Sequence, residues 1–505
     1  MFAALLLYVL TAGALLAAWR RFFQPVSLVA ALVLAAMPLV FTGHAMLTGR
    51  IYAPADLPYR SEPLNGYAQQ LGVREHNGWL TDLSTQMIPW RAAVRNAIAR
   101  GEWPLLNPYI LGGDPLAASA QPAAYDPVNL LAMLIPLGAS FTYSATMTFF
   151  LAALFTFAFA RMLGCSEHAA LVAAAGWTFC GTMAFAVGWP LARSWVFLPL
   201  VLYATRATVR DPRAKHAALL TLALVLTILA GHPETVLHVV AIGVAYGLFE
   251  LFAHRSRRAI VLTISSGLLA LLLTAFYLLP FVDALDQTLE HGARSAGSHG
   301  EWHPNWEVSQ RRLGAAVLPF WGGQSWRGMS TPLFDPLSTR SGSVILALGL
   351  AGALFVRGRD KWFLAALAFV SYSAAAELPP VENVLHALPL FDITINHRLA
   401  WSAMLAMSLL AAMAIDAIPP RRASIALGVT GVALLALTAI VWRVQLAAGV
   451  GAWWMRNVTI VELAALAIAI VAILKRRPAL ILGVILAQRA YVDGGVYPAI
   501  APEAF

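Results

Sequence analysis

One carboxylate stands out among the residues whose type and spacing could do chemistry. Asp82 lies in the segment Trp79-Leu-Thr-Asp82-Leu-Ser-Thr-Gln86-Met-Ile-Pro89-Trp90. Flanked by Trp79 and Trp90, it suits a general base whose pKa is raised by apolar surroundings. An oxygen ligand for a divalent metal, Mg or Mn, is an equal use of the same group. On residue type alone a capping or solvated acid fits slightly better than either. Leu83, Met87, Trp90 and Val94 share one face of a helix predicted over Leu80–Arg100, and Asp82 and Gln86 share another.

Further acids follow within proline and glycine turns: Gly101-Glu102-Trp103-Pro104, Gly112-Gly113-Asp114-Pro115 and Tyr125-Asp126-Pro127. Short acids in such turns commonly bond the nearby backbone, so structure is the expected role of all three, Asp126 most clearly. Asp56 and Glu62 are weaker candidates for a second acid. In Gly231-His232-Pro233-Glu234, a histidine and an acid close a helix where they could meet an anionic headgroup or a polar turn in water; the two readings balance. Arg193 and Arg398 stand at helix ends away from the other basic residues. Bidentate phosphate binding would use them well, and snorkelling to lipid headgroups explains them equally. His299 and His303 have a metal-like spacing without helical context. Trp321, Trp326 and Trp453-Trp454 fit an interface belt better than sugar platforms. The chain carries no P-loop, dinucleotide fingerprint or serine-hydrolase elbow, so any energy for a reaction must come with the substrate.

The elements that must position these residues are membrane helices. Of 505 residues, 60% are hydrophobic and only 12% charged, about half the charge of soluble domains. Apolar runs fall near 2–18, 26–44, 141–161, 167–187, 194–208, 216–232, 235–253, 259–281, 342–356, 362–378, 398–418, 423–443, 458–474 and 479–490. They predict an all-α polytopic membrane protein of about fourteen transmembrane helices. The run over Phe2–Ala18 has Arg20-Arg21 after it and no cleavage site, so it reads as a retained helix, with the N-terminus outside.

Basic clusters occupy every second connection: Arg20-Arg21, Arg161, Arg206–Lys215, Arg255–Arg258, Arg357–Lys361, Arg421-Arg422 and Lys475–Arg477. The positive-inside rule puts them all in the cytoplasm and accounts for the net charge of +9 without nucleic acid. Two long loops carrying short helices, 45–140 and 282–341, then share the extracytoplasmic face of one membrane domain. Fifteen residues separate Cys165 from Cys180, ~22 Å along a helix and too far for a disulfide.

In the order of these features the chain resembles the YfhO-like bacterial membrane proteins of the GT-C glycosyltransferase superfamily. The resemblance rests on Asp82-x-x-x-Gln86-x-x-Pro89-Trp90, Gly101-Glu102-Trp103-Pro104-Leu-Leu-Asn107-Pro108-Tyr109, Gly112–Pro115, Gln121 and Tyr125–Pro127. It continues through Gly231–Glu234, Leu318–Gly323 and the stretch ending in Asn396-His397-Arg398. It implies a GT-C-like fold in the bacterial cytoplasmic membrane. The implied reaction transfers a sugar from a polyprenyl-phosphate donor to an extracytoplasmic acceptor such as a cell-wall polymer, glycolipid or protein. Asp82 would be its base, sometimes with a metal ion. Gln86 and Trp90 would shape the site, with Glu102, Asn107 and Tyr109 beside them. Arg193, His232, Glu234 and Arg398 would meet the donor. Such proteins often continue into an extracytoplasmic C-terminal region beyond the equivalent of Phe505. Two other classes stay open: a lipid or solute transporter, which needs charge deep within helices, and a non-catalytic envelope assembly protein. The enzyme reading requires Asp82 to face a cleft that opens toward the bilayer.

Overall fold

The computed structural model describes residues 2–298, 305–337 and 339–505, and His299 and His303 lie outside them. Every apolar run folds as helix. Seven helices among the described residues are long and apolar enough to cross a membrane: Ala3–Phe22, Leu137–Met162, Pro233–Ala253, Arg257–Leu285, Asn396–Ala417, Pro420–Ala447 and Ala452–Leu474. An eighth span arises if Leu28–Ala36 and Leu39–Thr48 are one helix bent by 69°. The remaining runs form shorter helices, among them Glu167–Thr178, Leu198–Arg210, Ala214–Leu229, Ser343–Phe355, Asp360–Ala375 and Pro478–Asp493.

Leu137–Met162 is the axis of the bundle and is buried along its whole apolar window. Helix Glu167–Thr178 packs on it, and Asn396–Ala417 is wedged between Ser343–Phe355, Asp360–Ala375 and Glu167–Thr178. Small residues set these distances. A Cβ on Gly352 would fall 2.3 Å from the Leu410 carbonyl oxygen and one on Gly176 2.6 Å from Ile345 Cδ1. Between membrane helices such close backbone approach replaces the hydrophobic drive that lipid cannot supply.

The two ends of the bundle differ in chemistry. At one end the basic connections are tied together by acids. Ser166 donates to Asp416, Ser27 N to Glu167, and Arg206 pairs with both Asp360 (2.7 Å) and Glu250 (3.1 Å). At the other end the two long loops meet: Trp79 packs edge-on against Phe334 at 5.5 Å, and Ser325 Oγ donates to Asn77 Oδ1 at 2.6 Å. Both long loops therefore lie at one end, as the alternation of basic connections requires.

The first loop is more structured than a linker. Its strand Ile51–Tyr52 pairs antiparallel with Ala499–Ile500, close to the last residue of the chain. A π-turn over Leu83–Met87 leads into helix Ile88–Ala99, a hairpin pairs Leu106–Asn107 with Asp114–Pro115, and a short helix spans Pro127–Leu131. The predicted helix over Leu80–Arg100 is thus a turn plus a helix. Its apolar face is as expected: Leu83, Met87 and Val94 are buried, Trp90 partly so. Asp82 and Gln86 share the opposite, exposed face.

Candidate functional site

A cavity of about 50 Å³ opens where the first loop meets the bundle. At roughly 10–15 Å³ per water it holds a few waters or one phosphate-sized group. Tyr52, Leu83, Met87 and Arg91 line it from the start of the loop, Gln121, Asp126 and Asn129 from its end. Ser144, Gly188, Arg193 and Ala230 line it from the bundle, and Tyr497 from the C-terminal segment.

Three charged side chains meet there. Asp126 is the N-cap of helix Pro127–Leu131: its Oδ1 accepts from Val128 N at 3.3 Å, as an aspartate before a helix should. Its Oδ2 has no hydrogen-bond partner and lies 3.4 Å from Arg193 Nε. Burial raises the Asp126 carboxyl above the usual carboxylate range, against the pull of Arg193. Arg193 donates through Nη2 to the Ser144 carbonyl at 2.9 Å, while its buried Nη1 has no partner. Arg91 donates to Asn129 Oδ1 at 2.9 Å and to Ser144 Oγ at 3.2 Å, with its guanidinium 4.1 Å from the Phe141 ring centre. Burial and the nearby Arg193 pull Arg91 down to about 10. Two cations against one acid leave the cavity with a surplus positive charge, and it presents an unsatisfied donor and an unsatisfied acceptor. A small anionic group fits that arrangement.

Asp82 does not belong to this cavity. Its neighbour Leu83 lines the wall, but Asp82 itself is exposed and makes no hydrogen bond or ion pair among the described residues. Gln86 is exposed beside it, and Trp90 packs between two apolar clusters. The shielding that the two tryptophans were expected to give Asp82 is missing, because the turn places its side chain on the solvent face. No three His, Cys, Asp or Glu residues among those described converge as a metal site.

Glu102 is exposed and bridged to Arg100 at 2.8 Å, a contact that lowers its pKa. Asn107 is buried and accepts from Tyr109 N at 3.2 Å, and Tyr109 is exposed. These three shape the hairpin and do not line the cavity. Asp56 is buried, with Oδ2 accepting from His76 N at 2.7 Å, and Glu62 accepts from the Asn65 side chain; both organise the loop.

The Gly231–Glu234 turn borders the cavity without entering it. Gly231 sits at φ 90°, where a Cβ would strike the Ala120 carbonyl at 2.7 Å, so the turn is pressed against the loop wall. Its neighbour Ala230 lines the cavity itself. His232 Nδ1 accepts from Thr235 N at 3.2 Å, capping helix Pro233–Ala253. Burial lowers His232 to about 4, so the ring is neutral at pH 7 and supplies no charge to an anion. Glu234 is held by two arginines, Arg294 Nη1 at 3.0 Å and Arg398 Nη1 at 3.1 Å. Arg398 therefore belongs to a bridge between three chain segments and is not a free headgroup ligand, whereas Arg193 does face the cavity. Sequence reasoning missed Arg91 and gave Asp126 a purely structural part. The one available signal was Arg91 one position after the Trp90 of the loop motif.

A second buried charge cluster lies between helices that read as clean apolar runs. Arg489 pairs with Asp493, Arg340 Nη2 stands 3.7 Å from Asp493, and Glu462 accepts from Ser343 N at 2.8 Å and from Gln488. None of these residues lines the cavity.

No family model matches the sequence, and no curated protein is similar to it at a significant level. The fold is similar to that of ArnT from Cupriavidus metallidurans bound to undecaprenyl phosphate. The TM-score is 0.50 at 12% identity over 87% of this chain and 76% of that one. The apo state of the same protein matches with a TM-score of 0.42 and 14% identity, over 81% of this chain and 70% of that one. At such identity the likeness concerns architecture alone: an all-α membrane fold like that of ArnT.

Proposed function

We propose that this chain is a membrane glycosyltransferase that moves a sugar from a polyprenyl-phosphate donor to an acceptor outside the cytoplasm, in the bacterial inner membrane. The carrying observation is the cavity with two arginines and one desolvated aspartate, at the end of the bundle where both long loops meet. The fold it shares with a protein that was crystallised with undecaprenyl phosphate supports the same reading.

The cavity holds one phosphate-sized group beside Arg193 and Arg91, and the sugar, the lipid chain and the acceptor hydroxyl reach it through its mouth. On entry the phosphate engages Arg193 Nη1 and Arg91, whose charge stabilises the leaving group where it develops. Drawing Arg193 toward the phosphate frees Asp126 Oδ2. An acceptor hydroxyl then gives its proton to Asp126 as its oxygen bonds the anomeric carbon, and the bond from that carbon to the phosphate oxygen breaks with the electron pair leaving on the lipid phosphate. A single base with no carboxylate nucleophile gives inversion. This reading moves the base from Asp82 to Asp126, since an exposed acid has neither the desolvation nor the neighbouring cations. Asp82, on the outer face of the same turn as cavity-lining Leu83, is left to the acceptor side.

Membranes containing the wild-type chain, incubated with radiolabelled polyprenyl-phosphate sugars, should yield labelled product. The Arg193→Ala variant, inserted at equal level, should not. Absence of product from every donor with a folded wild type would refute the reading. The buried charges among the last helices are what a transporter would need, but they are packed against each other and do not line the cavity. They do not favour that alternative.

A further inference from the structure

The first loop carries a hairpin whose polarity is turned inside out. Asn107 is buried and Asp114 half-buried, while Trp103, Leu105, Leu106, Tyr109, Ile110 and Leu111 are exposed. Leu111 is 92% exposed and held at φ 52°, a left-handed conformation unusual for a leucine, at the outermost turn. A hairpin on a water-facing surface has the opposite arrangement, polar side out. An apolar patch of this kind marks a contact with another protein or with a membrane.

Its position favours the membrane. The Trp103 ring is 6.3 Å from Tyr125, and Tyr125 packs edge-on at 5.0 Å against Phe276. Phe276 belongs to helix Arg257–Leu285, where Leu268, Leu272, Phe276 and Leu279 form an exposed apolar stripe. No side chain among the described residues covers that stripe. Phe276 comes nineteen residues after Arg257, hence ~29 Å along the helix axis, which is the outer edge of a hydrocarbon core ~30 Å thick. The hairpin therefore continues the lipid-facing surface at the level where tryptophan and tyrosine collect in membrane proteins.

We infer that the hairpin Trp103–Pro115 is seated in the outer interface of the bilayer, with Leu111 as its deepest side chain. The first loop is then fixed to the membrane at a third point, between its two ends, and the mouth of the cavity is held at the level of lipid headgroups. The inference is independent of the proposed chemistry.

Both native cysteines are buried, so single reporter sites can be labelled. Leu111→Cys carrying an environment-sensitive fluorophore, in phosphatidylcholine–phosphatidylglycerol nanodiscs, should emit to the blue of a Gln70→Cys control on the same loop. It should be quenched by a lipid-borne nitroxide and spared by aqueous iodide. Quenching by iodide equal to that of the control overturns the inference. Protection from both quenchers also overturns it, because the hairpin would then be covered by protein.

Discussion

Two buried clusters pair arginine with aspartate, and they are built for opposite ends. Around Arg340, Arg489 and Asp493 every side chain is fully buried and the backbone joins in: Arg489 Nε donates to the Phe179 carbonyl at 3.0 Å, and Gly181 N to the Arg340 carbonyl at 2.8 Å. Glycines at 181 and 342 leave no room beside the guanidinium and amide groups. This cluster locks the second loop onto the last helix. Around Asp126 and Arg193 the charges are buried nearly as well but border a void. Burial and charge alone would have marked both clusters as functional. Both clusters hold polar atoms without a hydrogen-bond partner, and the free volume beside them is what separates a site from a clamp.

Breaking the clamp should have the largest effect. Arg489→Ala leaves Asp493 in the bundle with only the Arg340 guanidinium, at 3.7 Å, and removing one partner of a buried pair costs about 3–5 kcal/mol. The variant should be lost from the folded fraction in detergent size-exclusion chromatography, whereas Arg193→Ala should keep its folded peak, because Asp126 borders the cavity and can be met by water there. If both disappear alike, the distinction between clamp and site fails.

Asp126→Asn keeps the helix cap, since asparagine caps as well as aspartate. Transfer should nevertheless fall by roughly two to four orders of magnitude, the usual worth of a positioned acid–base group.

A smaller effect separates the regions by pH. Glu382, in helix Val381–His386 of a loop outside the spans, is pushed up to about 7, chiefly by burial and then by Glu377. In the unfolded chain it titrates near 4.3. Its contribution to stability is present below that value and lost as pH rises through 7. Glu382→Gln should therefore raise the melting temperature at pH 8 and leave it unchanged at pH 4. His232 has the opposite sign. It is held neutral down to about 4, so it lowers stability only as pH falls from about 6.5 toward 4. His232→Gln should flatten that acid limb in a thermal-shift titration.

The fold was legible because membrane helices are written in composition: each apolar run became helix, and the basic connections gathered at one end. Helix length was less legible. Glu167–Thr178 ends early, at Phe179, and Leu198–Arg210 starts late, after a break at Val196-Phe197, so turns interrupt both apolar runs. Asp82 drew attention through its flanking tryptophans, but which way a side chain leaves a π-turn is decided by the register of Leu83 and Met87 against the bundle. Asp126 looked structural because it is a cap, and the cap uses only one of its oxygens. Arg91 could not be paired with Arg193 from sequence, because a hundred residues of chain separate them. Glu462 and Arg489 were hidden inside apolar runs, since each run tolerates one or two polar residues.

The central claim is that the carboxylate inside the cavity does the chemistry, not the one on the exposed turn. The direct measurement is the initial rate of sugar transfer from polyprenyl phosphate for Asp126→Asn and Asp82→Asn, side by side, in membranes with equal amounts of folded protein. The account predicts that Asp126→Asn abolishes transfer while Asp82→Asn stays within a few-fold of wild type. Full activity in Asp126→Asn with loss in Asp82→Asn would contradict it.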